Sequence, residues 1–122
     1  MKYILTENQY NRLKQELSPI LEIPSSSLFN NNWESLQQYL NKKRNPKYSI
    51  GGDLYLRHTA IESLGNLTSV GGYLDLRHTQ IESLGNLTSV GGNLDLTNTF
   101  LSEKYSRKEI RDLIEVRGNI YI

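Results

Sequence analysis

The chain has 122 residues, a formal net charge of +1 and no cysteine. This length fits one domain, residues 1–122, and the absence of cysteine excludes disulfides, thiolate catalysis and cysteine-bound zinc. Residues 1–7 turn polar after a short apolar start, which predicts neither a signal peptide nor a membrane span, so we expect a cytoplasmic protein.

Residues 1–49 carry no repeat, and their pattern predicts a helical cap. A capping box at Thr6–Gln9 begins a first helix, which Ser18-Pro19 ends. A second helix is predicted from about Asn32 to Lys43, with its apolar side chains on one face: Trp33, Leu36, Tyr39 and Leu40. Because the first unit of a repeat array would otherwise expose its apolar side chains, we expect this cap to cover it.

A basic run at residues 41–48 has aromatic neighbours, and this composition is a weak indication of nucleic-acid binding. Lysine and arginine also favour the C-terminal end of a helix, which is where the run falls. The net charge is only +1, and no stripe of positive charge continues into the predicted sheet. We therefore do not expect nucleic acid as a partner.

Residues 61–72 recur without change at 81–92. A segment of this size cannot bury its own apolar face, so tandem copies predict a stacked solenoid. Leu54 and Leu56 alternate with Tyr55 and Arg57, as in a strand with one buried face. Equivalent segments begin at 74, 94 and 120, which predicts a parallel sheet of about four strands. The repeats span 50–101, and 102–122 hold a capping helix and the last strand.

The string Leu74-x-Leu76-x-x-Thr79-x-Ile81-x-x-Leu84-x-x-Leu87 resembles the leucine-rich repeat. Threonine stands at 59, 79 and 99, where that family usually has Asn or Cys. The resemblance implies an α/β fold, a short right-handed solenoid whose concave face is lined by the parallel sheet and binds a partner. A threonine hydroxyl can still bond neighbouring backbone, so we expect a hydrogen-bonded ladder there. The Val-Gly-Gly-x-Leu-x-Leu form looks like short repeat proteins encoded by bacteriophages and some bacteria.

The return path after each predicted strand has an apolar residue at every third position, which favours an irregular or 3₁₀-like conformation. Gly65-Asn66 marks a turn on this path. The Gly-Gly pair before each strand predicts either a positive φ or a close backbone approach.

The C-terminal segment predicts a helix within Ser102–Glu115. Ser106–Glu109 is a second capping box, and an inner stripe follows it: Ile110, Leu113 and Ile114. The final strand, residues 119–122, is expected to leave an open edge that could pair with a second copy as a homodimer.

The outward side chains of the strands form the candidate protein-binding surface, since Tyr and Arg are favoured at interfaces. Adjacent like charges on neighbouring strands indicate an oppositely charged ligand, but each Arg could instead offset a diagonal Asp. Tyr73 and Arg77 are expected to be replaceable without loss of folding. The candidate partner-binding residues are Asp53, Tyr55, Arg57, Tyr73, Asp75, Arg77, Asn93, Asp95 and Tyr121.

Catalysis and metal binding are the weaker alternatives. Asp75 and Asp95 could form a carboxylate pair, yet an open sheet does not maintain the raised pKa that catalysis needs. His58 and His78 align with Asn98, but two imidazoles are too few for a stable metal site. We expect no enzymatic activity, cofactor or metal.

The sequence therefore predicts a non-enzymatic protein-binding module. The phage-like resemblance implies a virion or assembly component, or an inhibitor of a host protein, in the host cytoplasm or the virion. The alternative is a structural unit that assembles through its C-terminal edge strand.

Overall fold

The computed structural model describes residues 20–30 and 32–122. The first predicted helix, which begins at Thr6, lies outside the described residues. In chain order the elements are β1 (Leu21–Ile23), a 3₁₀ helix (Ser26–Phe29), α1 (Trp33–Lys42), β2 (Tyr48–Ile50), β3 (Leu54–Tyr55), β4 (Leu67–Val70), β5 (Leu74–Asp75), β6 (Ser89–Val90), β7 (Leu94–Asp95), α2 (Phe100–Lys104), α3 (Arg107–Leu113), β8 (Glu115–Val116) and β9 (Ile120–Tyr121).

The strands form two parallel sheets. One has the order β1-β2-β4-β6-β8, and the other has the order β3-β5-β7-β9. Leu54 pairs with Leu74, Leu74 with Leu94, and Leu94 with Ile120, so each repeat unit lies directly on the next. The expected α/β class and the parallel pairing of equivalent strands are confirmed.

The expectation of a single sheet was wrong, because part of the return path is also extended. Thr88 donates its backbone N–H to the carbonyl of Thr68 at 2.8 Å, and Gly71 donates to Ile50 at 2.7 Å. Stacking identical copies brings equivalent N–H and C=O groups together wherever the backbone is extended. The second sheet follows from the same repetition as the first.

The Gly-Gly pairs separate the two sheets and serve close packing of the backbone. A Cβ on Gly71 would collide with the carbonyl oxygen of Gly51, and one on Gly91 would collide with that of Gly71. Positive φ is found instead at Gly65, with φ +59°, where the predicted turn lies. Of the two roles predicted for the Gly-Gly pairs, close approach is the one confirmed.

The N-terminal segment both covers the repeats and joins them. β1 pairs with β2 in the register Ile23–Ile50, so residues assigned to a purely helical cap extend the five-stranded sheet. The predicted second helix is confirmed as α1, and Asn32 caps it by accepting from the backbone N–H of Ser35 at 3.1 Å. Leu36 of α1 lines the same small cavity as Leu54, and both are buried.

The C-terminal segment holds two short helices. The capping box is confirmed, since Ser106 and Glu109 exchange side chain to backbone hydrogen bonds at 3.2 Å in each direction. Ile110 and Ile114 are buried, but Leu113 is 61% exposed, which corrects its place in the inner stripe. α3 ends at Leu113, and the extended backbone at Ile114 breaks the helical period on which the stripe relied.

Candidate protein-interaction face

The outward positions of β3, β5, β7 and β9 and of the residues just after them form what we call the sheet face. Its predicted residues differ in exposure. Asp53, Tyr55, Arg57 and Tyr121 are exposed, Tyr73, Arg77 and Asn93 are half-buried, and Asp75 and Asp95 are buried. The prediction that all nine are available to a partner is therefore wrong for the two buried carboxylates.

Asp75 is covered because two arginines contact it, Arg57 from the preceding unit and Arg77 from its own. Its side chain is 0% exposed, and its Oδ2 lies 3.0 Å from Arg57 Nε and 2.9 Å from Arg77 Nη2. Arg77 Nε also donates to Asp75 Oδ1 at 3.0 Å. Burial by itself raises the pKa of Asp75, but the hydrogen bonds and charge of Arg77, helped by Arg57, hold it below its usual range. Asp75 is kept ionised.

Asp95 continues the same arrangement one strand further along. Its Oδ2 lies 3.4 Å from Arg77 Nε and accepts from the Tyr73 hydroxyl at 3.2 Å. Its Oδ1 accepts from the Thr97 hydroxyl at 2.6 Å. Burial and the two nearby carboxylates raise the pKa of Tyr73 to about 12. The charges run Arg57–Asp75–Arg77–Asp95, and we call this series the ion ladder; it is the diagonal offset that the sequence left open.

In the column at residues 53, 73, 93 and 119, Asp53 and Asn93 order the backbone of the following unit. Asp53 Oδ1 accepts from the backbone N–H of Tyr73 at 2.8 Å, and Asn93 Oδ1 accepts from that of Asn119 at 2.8 Å. Asp53 Oδ2 also accepts from the Tyr55 hydroxyl at 3.0 Å, and this bond raises the pKa of Tyr55. Sequence reasoning missed these bonds between units, although a carboxylate or amide just before Leu-x-Leu was a usable signal.

His58, His78 and Asn98 share a backbone conformation that explains their column. All three have positive φ, at 60°, 56° and 57°. Asn and Asp tolerate this region best, and His is enriched there as well. The two rings stack with centroids 4.7 Å apart and an interplanar angle of 4°. Because ring nitrogens bind metals in the plane of the ring, parallel stacked imidazoles do not converge on one ion.

Within residues 20–30 and 32–122, no group of three or more His, Cys, Asp or Glu side chains could hold a metal ion.

The threonine column has a structural role, as predicted. Thr59, Thr79 and Thr99 each donate their hydroxyl to the carbonyl three residues earlier, at 2.6, 2.7 and 2.7 Å.

A groove of about 250 Å³ lies elsewhere, between α3 and the turn at 83–87. It is lined by Leu84, Leu101, Tyr105 and Leu113 among others, and by no residue of the sheet face that the sequence singled out. The basic run at 41–48 begins in the last turn of α1, and its Tyr48 is buried at 1% exposure. That aromatic is therefore not available for stacking on a base.

The terminal edge of the sheets is covered by side chains from α3. Arg107 Nε donates to the Ile120 carbonyl at 2.8 Å. Arg111 donates through Nη1 to the Val116 carbonyl and through Nη2 to the Gly118 carbonyl, both at 2.8 Å. β8 and β9 are the last strands of their sheets. Two arginines four residues apart thus occupy three carbonyls of the terminal segment, and one of these, that of Ile120, lies in the strand 119–122 that the sequence predicted to be open.

Comparisons with known proteins add no assignment to this geometry. No protein-family model matches the chain, and no curated protein or solved structure is significantly similar to it. In the described part of the chain, no helix is both long and apolar enough to cross a membrane.

Proposed function

We propose that this protein is a non-enzymatic protein-binding module of the leucine-rich-repeat type. It is a short right-handed solenoid that binds a protein partner through the sheet face. The pairing of equivalent strands in register supports the stacked arrangement. The phage-like sequence resemblance supports a virion or assembly component, or an inhibitor of a host protein, in the host cytoplasm or the virion.

One contrast on the sheet face carries this proposal. Some of its side chains are buried and paired with each other, whereas others are exposed to solvent and available to a partner. The carboxylates of the ion ladder are buried and paired. Tyr55 and Tyr121 are 45% and 42% exposed at the two edge strands, and Arg57 is 49% exposed beside Tyr55. Ordered Tyr and Arg side chains lose little conformational entropy on binding, which makes such a surface suited to a protein partner.

The partner test uses the displayed residues. Affinity capture from a lysate of the source cell should recover a partner with the wild type and lose it with Tyr55→Ala/Tyr121→Ala. Leu28→Ala/Leu113→Ala is the matched control, because those side chains are 67% and 61% exposed and lie outside the sheet face. Capture that survives in the tyrosine variant would contradict the proposal.

Tyr73 and Arg77 are unsuited to this test, contrary to the expectation that they are replaceable. Both contact the carboxylates of the ion ladder, and Arg77 supplies two of the contacts to buried Asp75. Removing one partner of a buried charge pair leaves an uncompensated charge and is strongly destabilising. Loss of partner capture in a Tyr73 or Arg77 variant would then reflect loss of folding and not loss of the binding surface.

The alternative, assembly through the last strand, stays a prediction that the edge contacts weigh against. Arg107 and Arg111 occupy carbonyls that an added strand would use. Light scattering that finds a strictly monomeric wild type at high concentration would rule this alternative out.

A further inference from the structure

Arg57 and Arg77 occupy equivalent positions in consecutive repeat units but have different partners. Arg77 contacts two carboxylates, those of Asp75 and Asp95. Arg57 contacts one carboxylate within the described part of the chain, that of Asp75, through its Nε. Its side chain is also more exposed than that of Arg77, 49% against 32%.

The difference has a cause in the sequence. Asp75 stands two residues before Arg77 and binds it with two oxygens, Nε to Oδ1 at 3.0 Å and Nη2 to Oδ2 at 2.9 Å. The residue that pairs with Asp75 in the preceding unit is Tyr55. Arg57 therefore lacks the carboxylate that its own strand would supply, and the ion ladder is one carboxylate short at this end.

We propose that Arg57 is a recognition site for a carboxylate side chain of the protein partner. This proposal rests on the proposed function and names the chemistry of the partner at one point of the sheet face. The ligand class follows from the molecule itself, because the equivalent site in the next unit is filled by the carboxylate of Asp75. Arg and carboxylate form paired, charge-assisted hydrogen bonds of defined geometry.

The site is held in place before binding. The bond of 3.0 Å from Arg57 Nε to buried Asp75 fixes one side of the guanidinium. Tyr55, which stands two residues before Arg57, is 45% exposed. Tyr55 is itself tied through its hydroxyl to Asp53 at 3.0 Å. A planar donor that is already oriented loses less entropy on binding than a free side chain.

The test is a selection of short random peptides on the immobilised wild type, with counter-selection against Tyr55→Ala/Tyr121→Ala. The selected peptides should share an Asp or Glu, and changing it to Asn or Gln should weaken binding about tenfold or more. Arg57→Gln should remove the same preference. It should fold, since Asp75 keeps its two bonds from Arg77. Arg117→Gln, which makes the same charge change at an exposed site outside the sheet face, should have no effect.

Tyr55→Asp gives an independent variant that restores the missing carboxylate. Because the selected peptides depend on Tyr55 by design, the readout for this variant is stability. The new carboxylate should pair with Arg57 as Asp75 pairs with Arg77, so Tyr55→Asp should melt at a higher temperature than Tyr55→Asn, and adding Arg57→Gln should remove that difference. Selected peptides without an acidic residue, acidic peptides that bind Arg57→Gln unchanged, or equal melting temperatures of Tyr55→Asp and Tyr55→Asn would overturn this proposal and leave the proposed function standing. A selection that yields no peptide dependent on Tyr55 and Tyr121 would overturn both.

Discussion

Among single residues, Asp75 shows how an outward position can become part of the interior. Its side chain is 0% exposed and is bonded to Arg57 and Arg77. Because arginine is longer than aspartate, Arg57 from the preceding unit and Arg77 from the same unit both reach the Asp75 carboxylate and cover it. The charge of Asp75 is therefore part of the folded structure and has a measurable pH dependence.

The pH dependence of unfolding should carry the signature of Asp75. Its folded-state pKa is lowered, with burial opposing and the Arg77 bonds favouring ionisation. The resulting stabilisation is complete above the unfolded-state pKa of about 4 and is lost as the pH falls through the lower folded-state value. Chemical denaturation at a series of pH values should show this acid-side decline in the wild type and a shallower decline in Asp75→Asn. Equal slopes in both proteins would contradict the assignment.

Leu76 provides the corresponding test of the core. It follows β5 in the middle repeat unit and is 0% exposed. Leu76→Ala should lower the free energy of unfolding by about 2–5 kcal/mol, because it removes apolar contacts and leaves a cavity. Denaturant titration measures this, and a loss below about 1 kcal/mol would place Leu76 outside the core.

At the scale of the elements, the backbones of successive repeat units lie in close contact at the Gly-Gly pairs. Substitution of Gly71 tests whether this contact is needed. Gly71→Ala should cost about 1–3 kcal/mol, because its Cβ would collide with the Gly51 carbonyl. Gly52→Ala is the matched control, since its Cβ would lie 3.7 Å from the Pro24 carbonyl, an ordinary contact. Thermal unfolding of the two variants should separate them clearly, and equal stability would show that the units can move apart.

The arginines of α3 make a second prediction at this scale. Arg107→Ala/Arg111→Ala should free the Val116, Gly118 and Ile120 carbonyls for pairing. Light scattering should then detect self-association at concentrations where the wild type and Lys108→Ala, an exposed position on the same helix, do not associate. A folded double variant that stays monomeric would show that the arginines do not protect this edge.

Sequence reasoning succeeded where a local rule was sufficient. The capping box at Ser106 and the hydroxyl bond of Thr79 depend on residues three positions apart, and both are found. Apart from the strand pairing that the exact repeat imposes, it failed where the outcome depended on contacts between units. A period of two gives the side of the sheet to which Asp75 points, but not the reach of Arg57 from the preceding strand. The second sheet was missed for the same reason, since its bonds join residues such as Thr68 and Thr88.

For the molecule as a whole, the N-terminal segment is predicted to be indispensable. Deleting residues 1–48 removes β1, the 3₁₀ helix and α1, and with them buried Leu36 and Leu40. Leu54 and Leu56 would then be exposed, so the fragment should aggregate or lose cooperative unfolding. Size-exclusion chromatography and thermal melting test this. A soluble, cooperatively folding fragment 49–122 would identify the N-terminal segment as an independent appendage.

The ion ladder also bears on how the array could change in length. Each added copy of the middle unit would bring one acid, as at Asp75, and one base, as at Arg77, and each would find its opposite in an adjoining copy, as Asp75 does in Arg57 and Arg77 does in Asp95. Duplicating the 20-residue segment 70–89 would therefore lengthen the sheet face without accumulating charge on it. Charge repulsion on the sheet face therefore sets no limit on the number of repeat units.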